Sequence, residues 1–212
     1  MNIFQELKQA LPMGADPIGV KLIYDHNENL RVHSKFKEVR GLVGFCDFVK
    51  KASQGEFLRI QKGDFSCHTG NVMLGFKDSE SIELTMRLDM KGLKYILLFP
   101  INKYRIEDFD SIILILNPHN CMNVIQAYVK LYKKPLKITC GAINGVCSEV
   151  TAHVIKRNEV NFSFLCPNSR SNGIFSDCEL LCGIPAMLTY ETINAIVKLT
   201  KTNLKLENLK IG

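Results

Sequence analysis

Residues 45–76 read FCDFVKKASQGEFLRIQKGDFSCHTGNVMLGF, and the rest of the chain can be interpreted outward from this stretch. Its first apolar residues recur at helical spacing, and Gly55 follows them as a helix stop signal. A short strand, a Gly-Asp turn and a compact apolar segment come next. The stretch therefore predicts a helix, a strand and a second short helix, with Cys46 opening the first helix and Cys67 directly before the second.

On both sides of this stretch, short apolar runs alternate with amphipathic segments. The predicted strands are residues 18–24, 57–60, 95–99, 111–116, 136–140, 160–165 and 179–184. The predicted helices are residues 2–10, 46–54, 70–76, 79–93, 120–132, 146–157 and 190–204. Strands separated by helices of this length predict an α/β or α+β fold, in which helices cover a mixed sheet. With no internal repeat and no linker, residues 1–212 are expected to form one compact domain.

Composition excludes several classes of partner. The chain has 212 residues and a net charge of +6, and its basic residues alternate with acidic ones rather than forming a basic block, so we expect no nucleic-acid partner. The longest apolar runs, residues 95–101 and 112–116, are far shorter than the roughly 20 residues that span a bilayer. The first residues lack the apolar segment of a signal peptide. A cytoplasmic protein with no membrane partner is expected.

The eight cysteines are the chemically informative residues. A reducing cytosol rarely keeps structural disulfides, so metal ligation, catalysis and simple burial remain open. Cys46, Cys121 and Cys147 fall in the first turns of predicted helices, and Cys67 directly precedes another helix. Backbone N–H groups at a helix start favour the thiolate, which is both the nucleophilic and the metal-binding form.

Other candidate residues carry weaker patterns. A free cysteine often acts as a small buried apolar residue, so the inference depends on the set of cysteines rather than on any one. Paired C-x₂-C knuckles are absent, and Cys178 and Cys182 alone lie within four residues of each other. His68, beside Cys67, is a possible ligand or base. Arg170 could hold a carboxylate or phosphate, or it could pair with a nearby acidic residue.

An ordered set of motifs adds a family resemblance. The set consists of Cys46 with Ala52 and Gly55, Cys67-His68-Thr69-Gly70 before Leu74-Gly75, Asn117-Pro118, Gly145-Val146-Cys147, Cys166 with Arg170, Glu179-Leu180, and Gly183-Ile184-Pro185. In order and spacing it resembles the DUF169 family, best populated in archaea and anaerobic bacteria, over nearly the whole chain. The resemblance implies a cytoplasmic α/β protein with four recurrent cysteines: Cys46, Cys67, Cys147 and Cys166. Ser169 is a departure, because members of this kind often have a second cysteine directly before the arginine.

Three hypotheses follow. In the leading one, Cys46, Cys67, Cys147 and Cys166 converge on a metal centre, with an iron–sulfur cluster preferred over zinc, and serve an unidentified redox or protein partner. In the second, a metal-free thiol enzyme uses a cysteine at a helix start, Cys147 first and Cys46 next, while Arg170 binds an anionic substrate. In the third, the chain is a non-catalytic binding module whose cysteines are packing residues. The substrate, reaction and oligomeric state are not encoded in any recognisable pattern.

Overall fold

The strands join in one mixed sheet, seen in a computed structural model that describes residues 2–24, 35–78, 85–89, 92–103 and 108–209, with side chains as far as residue 202. Within these residues the strands are β1 (Ile18–Ile23), β2 (Lys37–Glu38), β3 (Leu58–Ile60), β4 (Tyr95–Pro100), β5 (Ser111–Leu116), β6 (Asn161–Ser163) and β7 (Leu180–Pro185). Their order across the sheet is β2-β3-β4-β1-β5-β7-β6. Only β2 and β3 are paired in parallel among these strands; the other neighbours are antiparallel.

Strand β5 contributes side chains to a hydrophobic core on each face of the sheet. Ser111–Leu116 is almost entirely apolar, which is typical of a strand buried on both faces, and all six of its residues are buried. Ile113 and Ile115 point into one hydrophobic core, whereas Ile112 and Leu114 point into another. The alternation follows from the two-residue period of a strand. The predicted mixed sheet covered by helices is therefore confirmed.

Helices form a layer on each face of the sheet. The helices described are α1 (Ile3–Ala10), α2 (Phe45–Ser53), α3 (His68–Met73), α4 (Pro118–Tyr132), a π-helix (Gly145–Ala152), α5 (His153–Arg157), α6 (Pro167–Ser171) and α7 (Ala186–Leu209). We call the face covered by α2, α3 and the π-helix the first face, and the face covered by α1, α4 and α7 the second face. Among the residues described, no helix has the length and apolar character needed to cross a membrane.

Two predicted elements differ from the structure. Residues 136–140 are not a strand, because the backbone of Thr139 is paired instead by the side chain of Asn161: Thr139 N donates to Asn161 Oδ1 at 2.9 Å and Asn161 Nδ2 donates to Thr139 O at 2.8 Å. Of the helix predicted over residues 79–93, residues 79–84 and 90–91 lie outside those described, and residues 85–89 are not helical. Strand β2 and helix α6 were not predicted.

The helix predicted over residues 146–157 is helical but changes type along its length. Its first part is the π-helix, in which Thr151 Oγ1 donates to Val146 O at 2.8 Å, and α5 follows directly. The start is packed tightly against the chain that leaves β6: a Cβ atom on Gly145 would lie 2.7 Å from Leu165 Cα. Glycine is therefore required at position 145 for this close approach. π-Helices are rare and frequently lie at functional sites, and this one, eight residues long, carries Cys147.

Candidate functional site

Four cysteines that are far apart in the sequence line one pocket on the first face. They are Cys46, Cys67, Cys147 and Cys166, and the pocket has a volume of about 290 Å³. Its walls also include apolar side chains and two polar ones: Phe45, Ile143, Val146, Pro167, Thr69 and Asn168. The structure therefore brings together the four residues that the sequence singled out as a set.

Each pocket cysteine lies at the beginning of a helix. Cys46 is the second residue of α2 and Cys147 the third residue of the π-helix. Cys67 is the residue immediately before α3, and Cys166 is the residue immediately before α6. The positions of Cys46, Cys67 and Cys147 were predicted from local helix signals. The place of Cys166 was missed, although the proline that follows it is a common first residue of a helix.

Glycine and a capping carboxylate place Cys46 beside Cys67. Gly44 N donates to Asp47 Oδ2 at 2.8 Å, which fixes the start of α2. A Cβ atom on Gly44 would lie 2.9 Å from Cys46 Sγ and 3.8 Å from the Cβ of Cys67. The absence of a side chain at Gly44 thus lets the two cysteines approach each other.

The turn after Cys67 supplies hydrogen bonds to its sulfur. Gly70 N donates to Cys67 Sγ at 3.4 Å, and Thr69 Oγ1 lies 3.4 Å from the same sulfur. The backbone of this turn is held by Asn71, whose Nδ2 donates to Cys67 O at 2.9 Å and to Phe65 O at 3.1 Å. Cys67 is thus fixed both by its main chain and through its sulfur atom.

Cys166 follows a strained residue and is capped by a buried serine. Leu165 has a φ of +73°, which is unusual for a bulky side chain. Backbone strain of this kind is concentrated at functional sites. Ser169 is fully buried; its Oγ donates to Cys166 O at 2.9 Å and accepts from Cys166 N at 3.2 Å, and it lies 3.5 Å from the sulfur. Ser169 therefore serves as a cap for the turn that presents Cys166.

The thiols interact electrostatically. Burial raises the pKa of Cys46, and together with Asp47 and the neighbouring thiols of Cys166 and Cys67 it brings the pKa to about 12. Burial also raises the pKa of Cys147, and the other three thiols of the pocket act in the same direction. Thiolates repel one another in a poorly solvated site, so ionising one makes ionising the next harder. A bound cation would reverse this effect.

The four thiols differ in their exposure. Cys46 and Cys147 are buried, with 6% and 8% of their surface exposed, whereas Cys67 and Cys166 are half-buried. Ile143, which also lines the pocket, is 56% exposed. Within the described part of the chain, no group of three or more His, Cys, Asp or Glu side chains is arranged to hold a single metal ion. The four cysteines accordingly line the pocket without forming such a group.

The family comparison can now be set beside this geometry. The DUF169 family model, described as uncharacterised ArCR, matches residues 6–195. The chain belongs to the DUF169 family. The resemblance inferred from the ordered motifs is thereby confirmed, and all four pocket cysteines lie inside the DUF169 region. No curated protein and no solved structure matches the chain.

Glu149 is a buried residue of the DUF169 site that the sequence analysis missed. It lies on the π-helix with 4% of its surface exposed, and its carboxylate accepts hydrogen bonds from Gly141 N at 2.7 Å and Ala142 N at 2.8 Å. Ser163 Oγ donates to it at 2.5 Å. These bonds fix the loop that leads to Ile143 in the pocket wall. A single charge inside the apolar segment VCSEVTAHV was the available signal.

Arg170 has a different environment from the one expected of an anion-binding residue. Its guanidinium donates to three main-chain carbonyls, those of Phe164 at 3.1 Å, Glu179 at 2.7 Å and Ser176. Arg170 does not line the DUF169 pocket. Its proposed role in holding an anionic ligand stays a prediction, while the hydrogen bonds give it a part in shaping the loop after Cys166.

The remaining cysteines and His68 lie away from the pocket. Cys121 and Cys182 are buried in the core of the second face, whereas Cys140 and Cys178 are exposed. The closely spaced pair Cys178 and Cys182 is therefore split between solvent and core. His68 is exposed, and its Nδ1 lies 3.2 Å from Lys77 Nζ.

Proposed function

We propose that this DUF169 protein binds an iron–sulfur cluster through Cys46, Cys67, Cys147 and Cys166. One observation carries the proposal: four thiols from distant parts of the chain line a single pocket of about 290 Å³. Four cysteine thiolates are the usual ligand set of [2Fe–2S] and [4Fe–4S] clusters.

A metal centre in this pocket would have to displace protons from its thiols. The pKa of Cys46 and of Cys147 is raised by burial and by the other thiols, so the metal-free pocket keeps these two groups protonated. Thiolate is the form that binds metal, and binding releases the protons. The positive charge of a metal centre would therefore offset the repulsion that the four thiolates, once formed, would exert on one another.

The size of the pocket favours a cluster over a single zinc ion. Zinc bound by four cysteines has Zn–S distances of about 2.3 Å, so its ligands close tightly around one point. In this pocket the sulfur atoms instead line an open space, whose other walls are mostly apolar. A cluster carries its own inorganic sulfide and iron atoms and can fill such a space.

The two rival hypotheses agree less well with the same geometry. A thiol nucleophile needs a lowered pKa, whereas the pKa values of Cys147 and Cys46, the two candidates, are raised. Cysteines that serve as packing close against neighbouring side chains, because protein interiors contain few voids larger than a water molecule. The pocket thiols line a space many times that size.

The function that this site supports best is one-electron transfer. If all four thiolates bind the cluster, its irons are saturated by protein ligands and have no position left for a substrate. A cluster held by these four cysteines would supply one-electron redox chemistry: one electron from a reduced donor would pass to an acceptor, with no bond made or broken in either partner. We therefore propose a redox protein that acts with an electron-transfer partner.

The test is to purify the protein without oxygen from iron-replete cells and to measure iron, acid-labile sulfide, zinc and the visible spectrum. We expect sulfide-to-iron charge-transfer absorption and iron with sulfide in matching amounts. Reduction should bleach the absorption, and electron paramagnetic resonance then identifies the cluster type. A colourless protein without iron would contradict the proposal, and stoichiometric zinc would replace the cluster by a structural metal site.

A further inference from the structure

An ion pair joins the helix that begins at one pocket cysteine to the segment that follows another. Lys50 lies one turn after Cys46 on α2, and its Nζ donates to Glu179 Oε1 at 2.8 Å and to Oε2 at 3.1 Å. The two side chains are 28% and 25% exposed. Residues 50 and 179 are thus connected across 129 positions of the sequence.

The segment from Phe164 to Glu179 is closed on itself by Arg170. The guanidinium of Arg170 donates to the carbonyls of Phe164 and Glu179, which are the two ends of the segment, and to that of Ser176. Ser176 N in turn donates to Glu179 Oε2 at 2.8 Å. Because Cys166 lies inside this closed segment, its position is tied to that of Glu179.

Lys50 makes a second contact with the same segment. Its Nζ lies 5.2 Å from the ring centroid of Phe175, which is within the range of a cation–π interaction. Phe175 is only 2% exposed and belongs to the core of the first face. The ammonium group therefore holds both a charged partner and an aromatic partner on the segment that carries Cys166.

We propose that Lys50, Glu179 and Arg170 form a clamp that fixes the distance between Cys46 and Cys166 and so slows the loss of the metal centre; the inference rests on the proposed function. The three are positioning residues, since none of them lines the pocket. Ligands held in place by surrounding hydrogen bonds keep their metal better than ligands that must be ordered on binding.

The neighbouring lysine provides a matched control. Lys51 lies on the same helix, carries the same charge and forms an ion pair at 3.6 Å with Glu56, just beyond the end of α2. Lys50→Met keeps an unbranched apolar stem over Phe175 but removes the charge, and Lys51→Met makes the same change on a side chain whose ion pair does not reach the Cys166 segment. Lys50→Arg keeps the charge and tests rescue.

The experiment measures how fast an iron chelator bleaches the charge-transfer absorption of each anaerobic variant. We expect the rate to rise about fivefold in K50M, on the basis of a partly exposed ion pair, and to stay within about twofold of wild type in K51M and K50R. A structural role alone would change the unfolding temperature of K50M and K51M without separating their rates of iron loss.

A second measurement needs no metal. Hydrogen exchange of the metal-free protein should be faster in K50M than in K51M for peptides that cover residues 164–179. Equal exchange in the two variants would overturn the clamp, as would equal iron-loss rates. A wild-type protein that holds no iron contradicts the proposed function instead, so the two failures are distinguishable.

Discussion

Cys121 and Cys147 are nearly identical by local criteria and yet lie in different surroundings. Each lies in the first turn of a helix, and they are 6% and 8% exposed. Cys121 belongs to the apolar core of the second face, where the other cysteine is Cys182. Cys147 lines a pocket with three other thiols on the first face. Burial and helix position therefore do not identify a functional cysteine here; its neighbours and the adjacent space do.

Burial raises the pKa of cysteine thiols on both faces, but the consequence differs between the faces. Burial raises the pKa of Cys121 to about 11. Burial also raises the pKa of Cys182, and the nearby Cys121 acts in the same direction. On the second face this keeps two packing thiols neutral and inert. On the first face the same effect acts on thiols that line an open pocket, where a metal cation can relieve it. Four experiments test this contrast.

The largest expected effect comes from removing one thiol on each face. Cys147→Ala should abolish the charge-transfer absorption and most of the bound iron, because a cluster loses one of its four ligands. Cys121→Ala should keep both, since Cys121 contributes only packing. Iron and sulfide analysis of the anaerobic variants checks this. Equal loss of iron in the two variants would contradict the assignment of Cys147 as a ligand and Cys121 as a packing residue.

A polar replacement on the second face should affect stability instead of iron. Cys182 is fully buried in strand β7, so Cys182→Ser places a hydroxyl among apolar side chains. We expect the free energy of unfolding to fall by about 1–3 kcal/mol, measured by urea denaturation of the metal-free protein. Cys182→Ala separates the effect of the hydroxyl from that of lost volume. Unchanged stability in C182S would mean that this core tolerates polarity, and loss of iron would mean that the faces are coupled.

The sequence predicted the features that depend on local signals, namely helix and strand positions and the helix starts at three of the cysteines. Apolar periodicity and a terminal glycine located α2, and the all-apolar run of Ser111–Leu116 located β5 without error. Helix starts at Cys46, Cys67 and Cys147 followed from the same signals. Nothing local distinguished Cys121 from Cys147, and the set of four came from the family resemblance rather than from spacing.

The order of the strands and the packing of the helices could not be predicted from these local signals. In parallel α/β sheets, ligand sites lie beyond the carboxyl ends of the strands. Apart from β2 and β3, the neighbouring strands described are antiparallel, and the pocket is built by helix starts packed on one face. Strand order and helix packing depend on which apolar surfaces meet after folding, which one sequence does not reveal. The same holds for Asn161, whose side chain pairs with the backbone of Thr139 in place of a neighbouring strand.

A smaller effect is expected at Asp16, a buried residue that contacts a helix on each face. Asp16 is 4% exposed; its backbone N donates to Ser53 O at the end of α2, and its carboxylate accepts from Lys103 Nζ at 2.6 Å and from Lys8 on α1. Burial acts to raise the pKa of Asp16, but the hydrogen bonds from Lys103, Lys8 and Asn102 outweigh it and leave the pKa lowered.

Because the folded pKa of Asp16 is depressed, its stabilisation is present above the unfolded pKa of about 4 and is lost as the pH falls through the folded value. Asp16→Asn should therefore lower the free energy of unfolding by about 1 kcal/mol at pH 7, and the difference from wild type should shrink below about pH 4. Urea titrations from pH 7 down to values below about pH 4 check this. A difference that is the same at acid and neutral pH would assign the effect to lost packing rather than to charge.

The smallest effect concerns a difference inside the pocket itself, between the half-buried Cys67 and the buried thiols. Cys67 Sγ has two potential donors, Gly70 N and the hydroxyl of Thr69, each at 3.4 Å. On a cluster ligand such bonds stabilise the reduced form, which carries more negative charge, and therefore raise the reduction potential. Thr69→Val removes the hydroxyl, and Thr69→Ser keeps it. One hydrogen bond corresponds to about 20–60 mV for a one-electron couple, so we expect the midpoint potential of T69V to fall by that amount in a spectroscopic redox titration while T69S stays near wild type. If T69V and T69S titrate alike, the hydroxyl does not face the sulfur in the loaded protein, and Cys67 is tuned by its backbone alone.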